Sequence, residues 1–358
     1  MKRIVLGISG SVPTAAAIGW LAEQFSSEIV TVTLDFGQGD ELATIREHAL
    51  ALGAVRAHVI DVREEFVRDY LLPALQAGAL ANGHALVHPL LAGRLVDVAR
   101  METASAVAHC ATAEKPGAAI ESAIRSLDPA MQVIAPAATW TMSPQDLDTV
   151  ARQTGVHVVA PNGSRIEASV WGRRIVSFCG GPIPGEAFTL TRDAAEGPID
   201  AALIDVEFFE GVPVSTNGID MSMLELMESL ETIAGAHGVG RSASEIARPE
   251  DRTHALPIAV EAPAVRVLSI AHDALERHVL GEDLGDLKAR LANLYSELLA
   301  NGRWFSDLRD AIDAFTRITR ARVSGTVRLT LCRGECTVVS CDASRDRGAR
   351  VRVSRAVA

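Results

Sequence analysis

The stretch Arg3-Ile4-Val5-Leu6-Gly7-Ile8-Ser9-Gly10-Ser11-Val12-Pro13-Thr14 decides the fold. Arg3–Ile8 is a short apolar run and reads as a buried strand. Small and hydroxylated residues follow, and then a helical stripe opens with Ala17, Trp20 and Leu21 on one face. Strand, Ser/Gly turn and helix in that order bring backbone N–H groups and hydroxyls to the positive end of a helix, where an anion is stabilised. Pro13 suits the first helical turn. The spacing is neither the Walker pattern nor the dinucleotide Gly-x-Gly-x-x-Gly, and the Walker lysine is missing. An ordinary strand-to-helix connection has the same local pattern, so this segment alone leaves phosphate binding and a plain turn both open.

Outward from it, strands and helices alternate. Glu28–Phe36 is β-branched and reads as a second strand. A helix is expected over Asp40–Leu52, with Leu42, Ile45, Ala49 and Leu52 as its stripe and Gly53 to stop it. His58–Val62, Ala106–Ala111 and Gln132–Ala135 read as further strands. Helices are expected over Glu64–Ala79, over Pro89–Met101 and from Ser143-Pro144 to Gln153. This alternation predicts an α/β domain with a parallel sheet and helices on both faces. Ligands of such sheets bind at the carboxyl ends of the strands, so the turns after Ile8, Phe36 and Ala111 should share one crevice. From Pro161 to Gly197 the sequence is Gly/Pro-rich and reads as a long active-site loop or a domain junction.

The second half is patterned as α+β. Ala201–Phe209 and Val212–Thr216 flank Glu210-Gly211 as a hairpin, and Asn217-Gly218 marks the next turn. Ser222 can cap a helix reaching His237. Arg241–Ala264 looks irregular, and Val265–His278 reads as strand followed by helix. Leu284–Ala300 and Ser306–Arg322 are amphipathic helices, and Thr326–Leu331, Gly334 and Cys336–Ser340 form a closing hairpin. The expected division is a domain over residues 1–160 and another over 161–358.

Composition narrows the function classes. The chain has 358 residues, of which 48% are hydrophobic and 22% charged, which excludes a disordered or fibrous protein. The net charge of −11 repels a phosphate backbone, so nucleic acid is not an expected partner. No apolar stretch approaches the roughly 18 residues of a membrane span, and Arg3–Ile8 reads as a strand rather than an export signal. Five cysteines, an odd number, suit a reducing cytoplasm better than a disulfide framework. Cys332, Cys336 and Cys341 could begin a zinc site, but a fourth ligand is missing and strand alternation splits their directions.

Taken together, the motifs resemble the argininosuccinate synthase family. The segments that carry the resemblance are Ser9–Thr14, Asp35-Phe36-Gly37-Gln38-Gly39, Asp61–Phe66, His109-Cys110-Ala111-Thr112 and Trp171-Gly172-Arg173. Gly211-Val212-Pro213-Val214, Ile233–Arg241, Glu261-Ala262-Pro263-Ala264, Trp304-Phe305-Ser306 and Gly325–Leu329 continue it in order. The resemblance implies a PP-loop ATP pyrophosphatase domain of the adenine nucleotide alpha hydrolase type, followed by an α+β synthetase and oligomerisation domain with C-terminal helices. It also implies a homotetramer. The family uses ATP and Mg2+ to adenylate the ureido oxygen of citrulline with release of pyrophosphate, and the amine of aspartate then displaces AMP. Such chemistry needs a cradle for the departing pyrophosphate and clamps that hold two amino-acid-like substrates.

Residue by residue, the resemblance implies nucleotide or pyrophosphate contacts at Gly7, Ser9, Gly10, Ser11, Thr14, Leu34, Cys110 and Thr112. The family's turn reads Ser-Gly-Gly-Leu-Asp-Thr-Ser. Here Ser11 replaces a Gly, Pro13 replaces the Asp and Ala15 the last Ser. Where the family has His-Gly-Ala-Thr-Gly-Lys-Gly-Asn-Asp, this chain reads from His109 to Ala118 without the Asn and Asp that grip the substrates. Substrate contacts are expected among His84, His88, Lys115, Arg165, Glu167, Arg174 and Glu245; Arg165 and Arg174 stand in place of serines, and Val260 in place of a Tyr. Cys110, in place of a Gly, is open to two readings: a nucleophile or sulfur carrier beside the nucleotide, or a simple replacement. Losing several matched donors and acceptors, each worth about 1–3 kcal/mol, leads to the expectation of a ligase with substrates other than citrulline and aspartate. A non-catalytic homologue and a true argininosuccinate synthase are the alternatives.

Overall fold

The structure, a computed structural model, describes residues 2–39, 42–111, 115–140, 144–154, 164–177, 182–247 and 255–344. It divides into two compact units. The first comprises residues 1–66, 85–165 and 296–310, and the second 67–84, 166–295 and 311–358. The chain therefore passes between units more than once.

The first unit holds β1 (Arg3–Gly7), β2 (Glu28–Asp35), β3 (Arg56–Asp61), β4 (Ala106–His109) and β5 (Gln132–Ile134) in one parallel sheet of order β3-β2-β1-β4-β5. Its helices are α1 (Val12–Phe25), α2 (Leu42–Ala51), α3 (Val87–Met101), α4 (Lys115–Leu127) and α5 (Pro144–Thr154). The central strands β1, β2 and β4 are buried nearly throughout because a parallel sheet is covered on both faces. Ile4, Leu6, Ile29, Ala106 and Ala108 from the sheet share one core with Ala17, Ile18 and Leu21 of α1. The chain leaves β1 toward β2 and β3, then returns to place β4 on the other side. The topological switch point thus lies between β1 and β4, where Gly7 is in register with His109.

The expected helix Glu64–Ala79 is broken. A short turn Arg63–Glu65 leads into a π-helical turn Phe66–Leu71 and then the short helix Leu72–Gln76. Pro73 is the cause: it has no N–H to give the carbonyl one turn earlier, so the ladder shifts register ahead of it. A 3-10 helix, Leu80–Leu86, precedes α3.

The second unit carries β6 (Ser164–Ser169), β7 (Gly172–Ser177), β8 (Ala202–Phe209), β9 (Val212–Thr216), β10 (Ile219–Asp220), α6 (Met223–Ala236), β11 (Arg241–Ala247), β12 (Ala255–Glu261) and α7 (Pro263–Val279). After α8 (Glu282–Ala300) and α9 (Asp307–Arg320) come β13 (Gly325–Cys332) and β14 (Glu335–Ala343). Two sheets result, of orders β10-β9-β8-β13-β14 and β11-β12-β7-β6. The β8–β9 hairpin turns on Glu210 (φ 49°) and Gly211 (φ 73°), the left-handed pair that such a two-residue loop requires.

Three sequence expectations fail in this half. The Gly/Pro-rich stretch contains β6 and β7, and the region read as irregular contains β11 and β12. These strands are short on apolar alternation, and β7 finds its partner β12 about eighty residues later (Arg174 against Val260), so no local pattern announces them. Val265–His278 is helical throughout, because Pro263 opens α7 and Val265, Leu268, Ala271, His272 and Leu275 bury one helical face. In the closing hairpin, Cys332 faces Glu335 while Cys336 faces Leu331, on the opposite side of the sheet. Among the described residues no group of His, Cys, Asp and Glu is placed to hold a metal ion.

Candidate functional site

The crevice at the switch point is built from the end of β1 outward. Ile8 N–H still reaches Val32 O at 2.9 Å, and then the chain turns. Gly10 has φ 75°, and a Cβ there would stand 2.7 Å from the side chain of Ile45, so both backbone and packing require glycine. Ser9 Oγ donates to Ser11 Oγ at 3.1 Å, Ser11 and Thr14 hydroxyls lie 3.4 Å apart, and Thr14 Oγ1 donates to Ser11 O at 2.7 Å. Ser11 is the N-cap of α1, yet its side chain makes no capping bond, and the first turn carries no acidic residue. The positive end of a fourteen-residue helix is left without an internal anion, behind a fringe of three hydroxyls.

The neighbouring strand ends form the rim. Leu34 is buried, and its carbonyl accepts from Gln38 Nε2 at 2.6 Å; Gln38 Oε1 in turn accepts from Phe36 N, and Asp35 Oδ1 from Gly37 N at 2.8 Å. On the other side, Cys110 Sγ donates to Pro13 O at 3.5 Å and ties the end of β4 to the first turn of α1. Burial pushes the Cys110 thiol up to about 12, so it stays protonated at neutral pH. Of the two readings of Cys110, burial and the bond to Pro13 O favour a simple replacement over a nucleophile or sulfur carrier. The structure brings Gly7, Ser9, Gly10, Ser11, Thr14 and Cys110 together, with Leu34 one strand away. Thr112 lies outside the described residues, and Lys115 is described only as the first residue of α4.

The residues expected to touch amino-acid substrates divide. His88 lies in the first turn of α3, in the first unit. In the second unit His84 packs on Trp171, ring centroids 5.4 Å apart, with Nδ1 buried and unbonded. Burial first, and then the Arg174 guanidinium, hold its ring below the usual histidine range, while Glu167 opposes them. Arg174 Nη1 pairs with Glu167 Oε2 at 3.2 Å. His84, Glu167 and Arg174 thus gather around Trp171, whose Nε1 donates to Leu80 O at 2.8 Å. Arg165 in β6 and Glu245 in β11, the latter opposite Pro257, have side chains outside the described set.

Sequence reasoning assigned no role to Glu261, a heavily bonded carboxylate of the second unit. Fully buried, it accepts from Thr189, Leu190 and Thr191 N–H at 3.2, 3.0 and 2.8 Å, from Thr191 Oγ1 at 2.7 Å and from Arg173 Nη1 at 2.9 Å. Arg241 closes the cluster by donating to Thr191 O at 2.6 Å while its guanidinium lies 4.0 Å over the Phe188 ring. Phe188, Thr189, Leu190, Thr191 and Arg241 of this cluster line a cavity of about 580 Å3. The register Glu261 against Arg173 is the signal that finds it, and that register exists only once β12 and β7 pair.

A parallel α/β unit with a helix N-terminus at its switch point, in one chain with an antiparallel α+β unit, is of the class that binds anionic ligands at that crevice. Two family models match it: residues 3–157 match "Arginosuccinate synthase N-terminal HUP domain", and residues 180–347 match "Arginosuccinate synthase C-terminal domain". Proteins named argininosuccinate synthase from Synechococcus elongatus and Dehalococcoides mccartyi are each 38% identical, over 94% of this chain and 87% and 86% of theirs; that of Symbiobacterium thermophilum is 36% identical over 94% and 87%. The chain belongs to the argininosuccinate synthase family of ATP-dependent ligases. Among solved structures, NAD+ synthetase from Burkholderia pseudomallei covers 44% of this chain and 67% of its own at 23% identity and TM-score 0.29, too slight a likeness to argue from. No described helix is long and apolar enough to cross a membrane.

Proposed function

We propose that this protein is an argininosuccinate synthase, joining citrulline to aspartate with conversion of ATP to AMP and pyrophosphate. The observation that carries the reading is the extent of the likeness: relatives bearing that name are 35–38% identical over 94% of the chain, through both matched domains. This replaces the expectation of other substrates, which rested on the replaced polar residues alone. The functional division follows the matched ranges, with nucleotide binding assigned to residues 1–160 and the synthetase part to 161–358.

The residues of the crevice fit ATP. Ser9, Ser11 and Thr14 hydroxyls and the free end of α1 would hold the pyrophosphate, and Gly10 lets the backbone close on it. Leu34 would lie on the adenine side. With Pro13 in the turn and no carboxylate cluster among the described residues, Mg2+ would be bound mainly through phosphate oxygens. ATP supplies the activated leaving group; the chain holds it, orients the acceptor oxygen and excludes water. The reading includes amino-acid substrates, a homotetramer and a cytoplasmic setting, supported by the family alone.

Two observations favour a second reading. The Cys110–Pro13 contact and the loss of a carboxylate from the turn would suit a ligase with altered partners, or a homologue that binds without turnover. Pyrophosphate release and argininosuccinate formation, measured with ATP, citrulline and aspartate, decide. Turnover supports the first reading. Pyrophosphate release with other amino acids or carboxylates but not this pair supports altered partners, and no thermal stabilisation by millimolar Mg-ATP supports the non-catalytic homologue.

A further inference from the structure

His109 ends β4 at the switch point, directly before Cys110, and is 2% exposed. Neither of its ring nitrogens has a hydrogen-bond partner among the described residues. A buried imidazole with both nitrogens unpaired is costly, so an enclosed ring of this kind is completed by a nearby group or a ligand. Glu121 of α4 places its Oε1 3.9 Å from His109 Nε2. Its other oxygen, Oε2, is held by Arg125 Nη2 at 2.7 Å across one helical turn, which leaves Oε1 turned to the ring. A shift of about 1 Å closes the gap to a hydrogen bond.

We propose that Glu121 is a positioning residue for the nucleotide crevice, acting through His109. Its Oε1 accepts a hydrogen bond from Nε2–H of the neutral ring and so fixes that tautomer, with the Nδ1 lone pair left to accept from an O–H or N–H donor at the rim when nucleotide binds. Burial, which holds the His109 ring below the usual histidine range, agrees with a neutral ring, and Glu121 works against that shift. Arg125 pairs with the far oxygen of Glu121 and is not needed to keep Oε1 at the ring. The inference rests on the reading of this crevice as an ATP site.

The test compares the full-length protein with Glu121→Gln, Glu121→Leu and Arg125→Ala. The His109 ring is followed by 15N long-range spectra, assigned with His109→Asn, and ATP binding by titration with a non-hydrolysable analogue. The expected result is a single Nε2–H tautomer in the wild type and in Glu121→Gln, and mixed tautomers in Glu121→Leu. The apparent KM for ATP should rise about tenfold in Glu121→Leu, against about 1.4 kcal/mol per tenfold, with kcat within twofold and KM for citrulline and aspartate unchanged. Arg125→Ala should stay within threefold of wild type in every readout. An unchanged tautomer in Glu121→Leu, or an Arg125→Ala protein that matches it, overturns the proposal. If the wild type does not turn over citrulline and aspartate, the functional reading fails on its own, and the ring spectra and analogue titration still decide the role of Glu121.

Discussion

Single side chains in this protein are governed by what burial leaves them to bond. Cys110 sits beside a helix N-terminus, a place that often lowers a thiol pKa, but enclosure dominates and raises it to about 12. An ordinary thiol near 8.5 would be about a thousandfold richer in thiolate. Alkylation by iodoacetamide at pH 7.5, followed by mass spectrometry, should therefore label Cys110 at less than a tenth of the rate of a free thiol. Glu261 shows the opposite balance, since five donors compensate its burial. Glu261→Ala would strand Arg173 and three N–H groups, and denaturant titration should show a loss of about 3–5 kcal/mol. The Ser9–Thr14 hydroxyls were legible because they follow one another in the chain; Glu261 was not, because its partners come from residues 173 and 189–191.

At the level of elements, caps and close approaches decide stability. Ser222 receives the Glu225 N–H while the Glu225 carboxylate reaches back to the Ser222 N–H at 2.8 Å, a complete capping box on α6. Ser222→Ala should cost about 1 kcal/mol in chemical denaturation. Gly235 in the same helix makes the sharper test. Helix propensity alone predicts that Gly235→Ala gains about 1 kcal/mol. A Cβ there, however, would stand 2.0 Å from Leu190 O, in the loop whose N–H groups hold Glu261. The substitution should therefore lower the unfolding midpoint, and a raised midpoint would show that the loop yields. Capped and turn-bounded elements could be read from the chain because their signals are local. Strands β6, β7, β11 and β12 could not, because their place is set by pairing partners and not by apolar alternation.

For the molecule as a whole, pH exposes the cost of its buried rings. His272 is enclosed by α7 beside Phe208, with Glu276 Oε1 3.7 Å from Nδ1 and Lys288 paired to that carboxylate. Burial first, and then Lys288, push it down to about 3. Its unfolded ring takes up a proton near pH 6.5, whereas the folded ring refuses one until about pH 3. Between these values the unfolded state binds more protons, so stability falls as pH falls, by up to about 1.4 kcal/mol per unit for this one group. His84 and His109, also held low, act in the same direction. Thermal melts should drop between pH 7 and pH 5, and the drop should be shallower in His272→Gln; an equal drop would remove His272 as a cause. What the amino-acid order determined unaided was the five strands of the first unit, the glycine-bearing turn into α1 and the family pattern, but not the helix α4 between β4 and β5. Only the tertiary structure decided that Cys110 is packed against Pro13 O, that Glu121 lies beside His109 and that Glu261 anchors a loop. Those are facts of burial and distance, which arise where remote segments meet and water is excluded.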